Sequence, residues 1–449
     1  MNRRWWVKLG VIGGLVLLLL LPLSILRELV SERQWRGQEV AADIAASSSR
    51  AQQLIGPLLV IDATATLRRQ RLITEGGITR EVEDSIKQSG QQVIAPQSLG
   101  VDGDITTERR GRGIFTALLF HGDLTLEADF ALPAPPSIEG DLLAYEVDQV
   151  RLLIGVGDSR GIRSIQLSVN GNRLVAEPAA MDRAWISDGV QVVLPRSMWQ
   201  AGPLQTDIAL GLSGTGHLSL VPIADQSTIA LQGEWPHPGF SGAHLPAERT
   251  VDEAGFSARW QVSRLASRAQ QALQACQSSD GACSGLAESA LSLRLVDPVD
   301  RYLLTDRALK YGLLFLVIMF GAVFFLEALR SVDVHPLQYG LTGLAMATFF
   351  LLLLALSEHL AFALAYALAG LSSVALIAAY MSAVLGSRAR GLAFSALLGL
   401  LYALLFGVLQ SEDYALLLGA VTLFALLASV MLATRHLDWS RLGTQAGKA

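Results

Sequence analysis

The sequence predicts a mixed membrane protein: six transmembrane α-helices, one N-terminal and five C-terminal, with an antiparallel β-sandwich-like domain on the outside between them. Three observations predict it. The 449 residues are 51% hydrophobic, with a mean hydropathy of +0.41, too apolar for an ordinary soluble chain. The excess gathers in residues 9–26 and 310–434, leaving 27–308 with ordinary soluble composition. The short segments between apolar runs differ in charge as membrane topology requires.

The first span is residues 9–26, Leu9 to Leu26, without a charge. Eighteen helical residues are about 27 Å long, enough for a hydrocarbon core. Arg3, Arg4 and Lys8 precede it, with Trp5 and Trp6 at headgroup level. Pro22, Leu23, Ser24, Ile25, Leu26 and Arg27 close it without a small-residue cleavage site, so it reads as a retained anchor. A mixed-charge helix follows over 27–54 and stops at Gly56-Pro57.

Past Pro57 the pattern becomes strand-like: Leu58–Ile61, Ile114–Leu119, Leu124–Phe130, Val150–Ile154, Ile165–Val169, Val190–Leu194, Ile208–Leu212, Leu218–Val221, Thr228–Leu231 and Phe256–Val262. Asn170-Gly171 signals a tight hairpin, since both turn residues tolerate positive φ. No strand–helix alternation appears, which excludes a dinucleotide-type α/β fold. Residues 264–275 and 283–293 read as helices, and Val299–Lys310 as a helix running into the second span. Cys276 and Cys283, the two cysteines, flank six residues in the outside region, which suggests a local disulfide rather than a redox or metal pair.

Five further spans follow at about 310–329, 338–356, 361–380, 391–410 and 414–434. Lys and Arg occur at the N-terminus, at Arg330, at Arg388 and Arg390, and at Arg435, Arg441 and Lys448. The opposite turns, 357–360 and 410–413, carry Glu358, Glu412 and Asp413 but no Lys or Arg. Both termini are therefore expected inside. The expected division is a terminus and anchor over 1–30, an outside β-rich domain with flanking helices over 31–308, a five-helix bundle over 309–436 and an inside tail over 437–449. Glycines at 340, 343, 370, 399, 407 and 419 suit close helix packing.

Charge narrows the function. Residues 27–308 hold 25 Lys+Arg against 34 Asp+Glu, an acidic surface that argues against a nucleic-acid partner. No P-loop, dinucleotide fingerprint in its proper context or zinc signature occurs, so no cofactor is expected. Gly239-Phe240-Ser241-Gly242 lacks the strand–turn–helix frame of a nucleophile elbow and reads as a loop. Trp235 and His237 sit in a Pro-rich turn, where an exposed ring beside a His suits a sugar or headgroup. Glu327 falls at a span end and reads as a hydrated loop residue. Glu358, His359, Glu412 and Asp413 share one side of the membrane and form the one candidate polar constellation of the bundle.

Several ordered motifs run along most of the chain: Ile55-Gly56-Pro57-Leu58-Leu59-Val60, Arg109-Arg110-Gly111-Arg112-Gly113-Ile114-Phe115, Trp235-Pro236-His237-Pro238-Gly239-Phe240-Ser241-Gly242 and Leu245-Pro246-Ala247-Glu248-Arg249. The apolar half adds Val334-His335-Pro336-Leu337-Gln338-Tyr339, Leu356-Ser357-Glu358-His359, the run Leu409 to Gly419, and Asp438-Trp439. In these motifs the chain resembles the CreD family. The resemblance implies an inner-membrane protein of Gram-negative bacteria with a periplasmic domain, tied to envelope integrity, β-lactam response and colicin tolerance. It brings no catalytic residues. Two function classes follow. One is a non-enzymatic envelope protein whose β domain contacts an envelope component. The other is a transporter or lipid-handling protein using Glu358, His359, Glu412 and Asp413. A ligand sensor signalling through the membrane kinase of a two-component system is a third, because the inside segments are too short for an output domain.

Overall fold

The computed structural model describes residues 3–75, 78–134, 136–138, 140–179, 188–200, 202–278, 283–297, 301–330 and 334–410, with short pieces between 417 and 435. The chain divides into two compact units, Met1–Glu39 with Val299–Ala449, and Val40–Pro298.

The first unit is helical. Helix α1, Arg3–Ser47, runs 45 residues without a break, although Pro22 lies inside it, and its residues from Val40 on belong to the second unit. The apolar run passes directly into the charged stretch because Arg, Glu, Gln and Ala are all good helix formers. The helix stops at Ser47, whose hydroxyl donates to the Ile44 carbonyl at 3.0 Å, and not at Gly56-Pro57 as expected.

Among the described residues, four helices are long and apolar enough to cross a membrane, and a bent pair makes a fifth. The pair is α5, Arg301–Lys310, and α6, Gly312–Arg330, which meet at 41°. The others are α7, Pro336–Ser357, α8, Phe362–Val384, and α9, Arg388–Gln410. Five candidate spans thus replace the six expected, and the sixth, 414–434, lies almost wholly outside the described residues. The start of α7 is set locally. The His335 ring accepts from the Leu337 N–H, the Gln338 side chain reaches back to the His335 N–H, and Pro336 occupies the first turn.

Leu19, Leu23, Leu26 and Val30 are buried at spacings of four, three and four, a coiled-coil-like seam along α1. A Cβ on Gly343 would run into Leu19 and Phe320, so glycine there lets α1 and α7 approach closely. Phe349 stacks on Tyr402 with centroids 4.2 Å apart and meets Tyr366 edge-on at 5.3 Å. The Tyr366 hydroxyl donates to the Tyr402 carbonyl at 2.8 Å, and the Tyr402 hydroxyl bonds Ser373 at 3.3 Å. Two phenols are thus satisfied among the apolar side chains of the bundle.

The second unit contains strands β1 (Gln52–Glu75), β2 (Ile78–Ile94), β3 (Ser98–Arg112), β4 (Phe115–Phe130), β5 (Leu142–Val156), β6 (Ile162–Val169), β7 (Asn172–Leu174), β8 (Glu177–Pro178), β9 (Asp188–Leu194), β10 (Leu204–Thr215), β11 (His217–Leu220), β12 (Gln226–Gly233), β13 (Pro238–Gly242), β14 (Glu248–Asp252), β15 (Gly255–Ser263) and β16 (Leu291–Leu295). Short helices α2, Arg196–Trp199, α3, Ala269–Ser278, and α4, Ser284–Glu288, interrupt them.

One sheet runs β13-β16-β11-β1-β5-β9-β8, with β2 also on β1, and the other runs β14-β15-β12-β3-β4-β10-β6-β7. Both line one core, where Leu59, Val150 and Leu152 meet Leu124, Leu126 and Ile208. The sheets are not wholly antiparallel, because β1 pairs with β11 and β12 with β3 in parallel. The strands at 58–61, 150–154, 165–169, 190–194 and 208–212 lie inside observed ones, and Asn170 and Gly171 take φ of 49° and 76° at the expected hairpin.

Three local expectations change. Gly56 does not stop a helix; it makes a bulge within β1, at φ +104°, where an added Cβ would stand 2.9 Å from the Leu153 carbonyl oxygen. Residues 291–293 are strand rather than helix, since Leu291, Leu293 and Leu295 alternate into the core. Gly239-Phe240-Ser241-Gly242 is an edge strand on β16, not a loop.

Candidate functional site: charge clusters of the membrane unit and polar networks of the two-sheet unit

Two ion-pair clusters fasten α1 into the helical unit. At its far end Arg33 Nε stands 3.6 Å from Glu358 Oε1, and the Tyr302 hydroxyl donates to the same oxygen at 3.5 Å. Arg301 Nη1 donates to the carbonyls of Ser357 and Glu358 at 3.0 Å each, satisfying orphan acceptors at the end of α7. Glu358 thus joins α1, α5 and α7. His359, next in sequence, is exposed, and its backbone N–H closes the last turn onto Leu356. Glu412 and Asp413 lie outside the described residues.

At the near end of α1, Lys8 pairs with Glu327 of α6, and the Tyr339 hydroxyl of α7 donates to the other carboxylate oxygen at 3.1 Å. Glu327 is 6% exposed. The sequence made it a hydrated loop residue because it lies near a span end. Its burial follows from partners 319 and 12 positions away, which no local pattern discloses.

The two-sheet unit holds the remaining candidates. Trp235 is half-buried, its indole N–H donating to the Val296 carbonyl at 2.9 Å. The Arg109 guanidinium lies 5.6 Å over its ring and also pairs with Asp297 at 3.2 Å. His237 is exposed, and its carbonyl accepts from Val296 N–H at 3.2 Å. Trp235 therefore presents a ring face to a cation of its own chain. Cys276 and Cys283 are joined as a disulfide, beside Leu273 and Leu286 in a small core.

Two networks escaped sequence reasoning. Ser213 on β10, His121 on β4 and Glu108 on β3 form a chain: His121 Nδ1 to Ser213 Oγ at 2.8 Å, and His121 Nε2 to Glu108 Oε2 at 3.0 Å. Their order is that of a nucleophile, base and acid. Ser213, however, lies within a strand paired to β4 through Thr215, not on the sharp elbow that exposes a nucleophile. Hydrogen bonding to His121, then to Arg110, holds the Glu108 carboxyl below its ordinary range.

The second network centres on buried Asp158. Its carboxylate accepts from Arg160 Nη2 at 2.7 Å, Arg160 Nε at 2.9 Å, and the N–H groups of Arg50 and Arg160 at 3.1 Å each. Arg160 also donates to the Ala46 carbonyl in the last turn of α1, and Thr215 Oγ1 donates to Ser49 O at 2.8 Å. Gln52 crosses between the Asp158 and Ser213 carbonyls, at 3.0 Å from each. The guanidinium of Arg160, aided by the two backbone N–H groups, outweighs burial and holds Asp158 at about 2.

A family model described as inner membrane protein CreD matches residues 4–440. Inner membrane protein CreD of Escherichia coli (strain K12) is 38% identical over 435 residues, covering 96% of this chain and 93% of that protein.

Proposed function

The chain belongs to the CreD family of inner membrane proteins, and from that premise we propose that it is a non-enzymatic protein of cell-envelope integrity. On this reading the two-sheet unit stands in the periplasm and contacts an envelope component, with both termini in the cytoplasm. The positive residues at Arg330, Arg388 and Arg390 support that orientation. Membrane attachment suits the response to envelope damage that the family resemblance implies. A membrane kinase of a two-component system is the class of protein through which it would signal.

The observation that carries the non-transport reading is the engagement of Glu358. Its carboxylate is held by Arg33 and Tyr302 within the helical unit. A carboxylate fixed between helices acts as a clamp, while a transported ion or lipid needs an acceptor that can let go.

The test is genetic. The gene is deleted in its host, and sensitivity to detergent and β-lactams is scored after complementation at matched expression. Rescue by the full chain and by Glu358→Gln together with Glu412→Gln supports an envelope role centred on the two-sheet unit. Rescue by wild type alone would move the active part to the helices and overturn the proposal.

A further inference from the structure

The two charge clusters mark the two ends of the stretch of α1 that a bilayer would cover. Lys8 and Arg33 are 25 residues apart, about 37 Å of helix. That exceeds a hydrocarbon core of about 30 Å and reaches into both headgroup layers. The charge-free run 9–26 is therefore only the inner part of the span. Arg27, Glu28, Ser31 and Glu32 lie within two turns of Arg33, at headgroup depth, and Trp35 follows half a turn beyond.

These residues face away from the seam Leu19, Leu23, Leu26 and Val30. Ser24, Arg27, Glu28, Ser31, Glu32 and Trp35 line an open depression of about 540 Å³. All six are exposed, Trp35 at 71%. Arg27 has no acidic partner among the described residues. Glu28 and Glu32 stand at i and i+4, where like charges repel. Glu32 is met by Arg36 at 3.8 Å, and Glu28 has no cation partner among the described residues. This face thus offers a guanidinium unpaired among the described residues, one carboxylate at the next residue and a second one turn beyond it, and an indole.

We propose that this stripe binds the headgroup of a zwitterionic phospholipid bearing a primary ammonium. Arg27 takes the phosphate, as a planar donor suited to two oxygens. Glu28 and Glu32 accept N–H bonds from the ammonium, whose charge relieves their mutual repulsion. Trp35 lies beyond the carboxylates at the ammonium end, in the layer where indoles concentrate. A quaternary ammonium has no N–H to donate, and an anionic headgroup without an amine leaves the carboxylates unpaired. The recognition is therefore for the combination of phosphate and primary amine.

The test uses the full-length protein in detergent, titrated with phosphatidylethanolamine, phosphatidylcholine and phosphatidylglycerol of identical acyl chains and followed by native mass spectrometry. The expected result is preferential retention of phosphatidylethanolamine, about fivefold over the other two. Glu28→Gln with Glu32→Gln should lower it to the phosphatidylcholine level, and Arg27→Gln should weaken all three. These side chains are exposed, so the thermal midpoint should stay unchanged, and Trp35→Ala supplies an independent variant. Equal retention of the three lipids by wild type, or an unaltered preference in the double variant, would overturn the proposal. So would a shift from dimer to monomer in the variants with lipid binding unchanged, because a second copy would then cover the stripe.

Discussion

Arg33 on α1 stands 3.6 Å from Glu358 at the end of α7, although they lie 325 positions apart in sequence. The first helix is thus fastened to the last turn of another span by a partly buried ion pair, where fewer waters screen the charges. Glu358→Gln should lower the midpoint of thermal unfolding in detergent, equivalent to about 1 kcal/mol. Exchanging the two charges, Arg33→Glu with Glu358→Arg, should recover part of that loss, and a double-mutant cycle reads the coupling. Zero coupling would mean that the pair does not hold α1.

The near-end cluster should be more sensitive. Removing one partner of a buried ion pair leaves an uncompensated charge and costs about 3–5 kcal/mol. Lys8→Met should therefore destabilise the full chain more than Glu358→Gln does. Lys8→Met with Glu327→Met should be milder than Lys8→Met alone, because the buried carboxylate is then removed together with its cation. If the double variant were worse than the single, Glu327 would have another counter-charge strong enough to hold it.

Acid should act through Asp158. Its folded pKa lies near 2, below the ordinary value of 3.8. A depressed carboxylate contributes stability that is complete above the unfolded value and lost as pH falls through the folded one. The network is therefore intact at pH 5 and dissolves between about pH 4 and pH 2, with a loss of about 2 kcal/mol. Asp158→Asn should remove that pH dependence and lower stability at pH 7. Chemical denaturation at pH 7, 4 and 3 tests both, and a variant with the wild-type acid profile would refute the assignment.

The disulfide closes a short loop, so its chain-entropy contribution is about 2.5 kcal/mol. Cys276→Ser with Cys283→Ser should lower the stability of the two-sheet unit by roughly this amount. It should also abolish any effect of reductant on the unfolding midpoint. An oxidised wild-type midpoint equal to that of the double variant would refute the contribution of the bond.

The span pattern was legible because it depends on local composition. Residues 336–357 and 388–410 announce themselves as apolar runs. The observed strands at 165–169 and 208–212 were legible for the same reason, since their alternation is local. The long hairpin β1–β2 was not, because Gln70, Arg71, Glu81 and Glu83 carry little apolar signal and its pairing supplies the order instead. The parallel pairs β1–β11 and β12–β3 were hidden because their partners lie more than a hundred positions apart. At the candidate sites the same divide holds. Glu358 was found from its place in a turn, whereas Glu327, Ser213 and Asp158 take their meaning from distant partners.

The β1–β2 hairpin has one more consequence. Strand β5 accompanies β1 only as far as Leu67, while β2 continues with it to the Glu75–Ile78 pair. From Leu59 to Leu67 the middle strand is bonded on both sides, so its amides exchange with solvent deuterium only when a ladder of the sheet opens. Beyond Arg68 each amide has a single neighbouring strand and can exchange by fraying from the tip. The hairpin should therefore label in two phases under one set of conditions, with the boundary where Arg68 N–H bonds the Asp141 carbonyl.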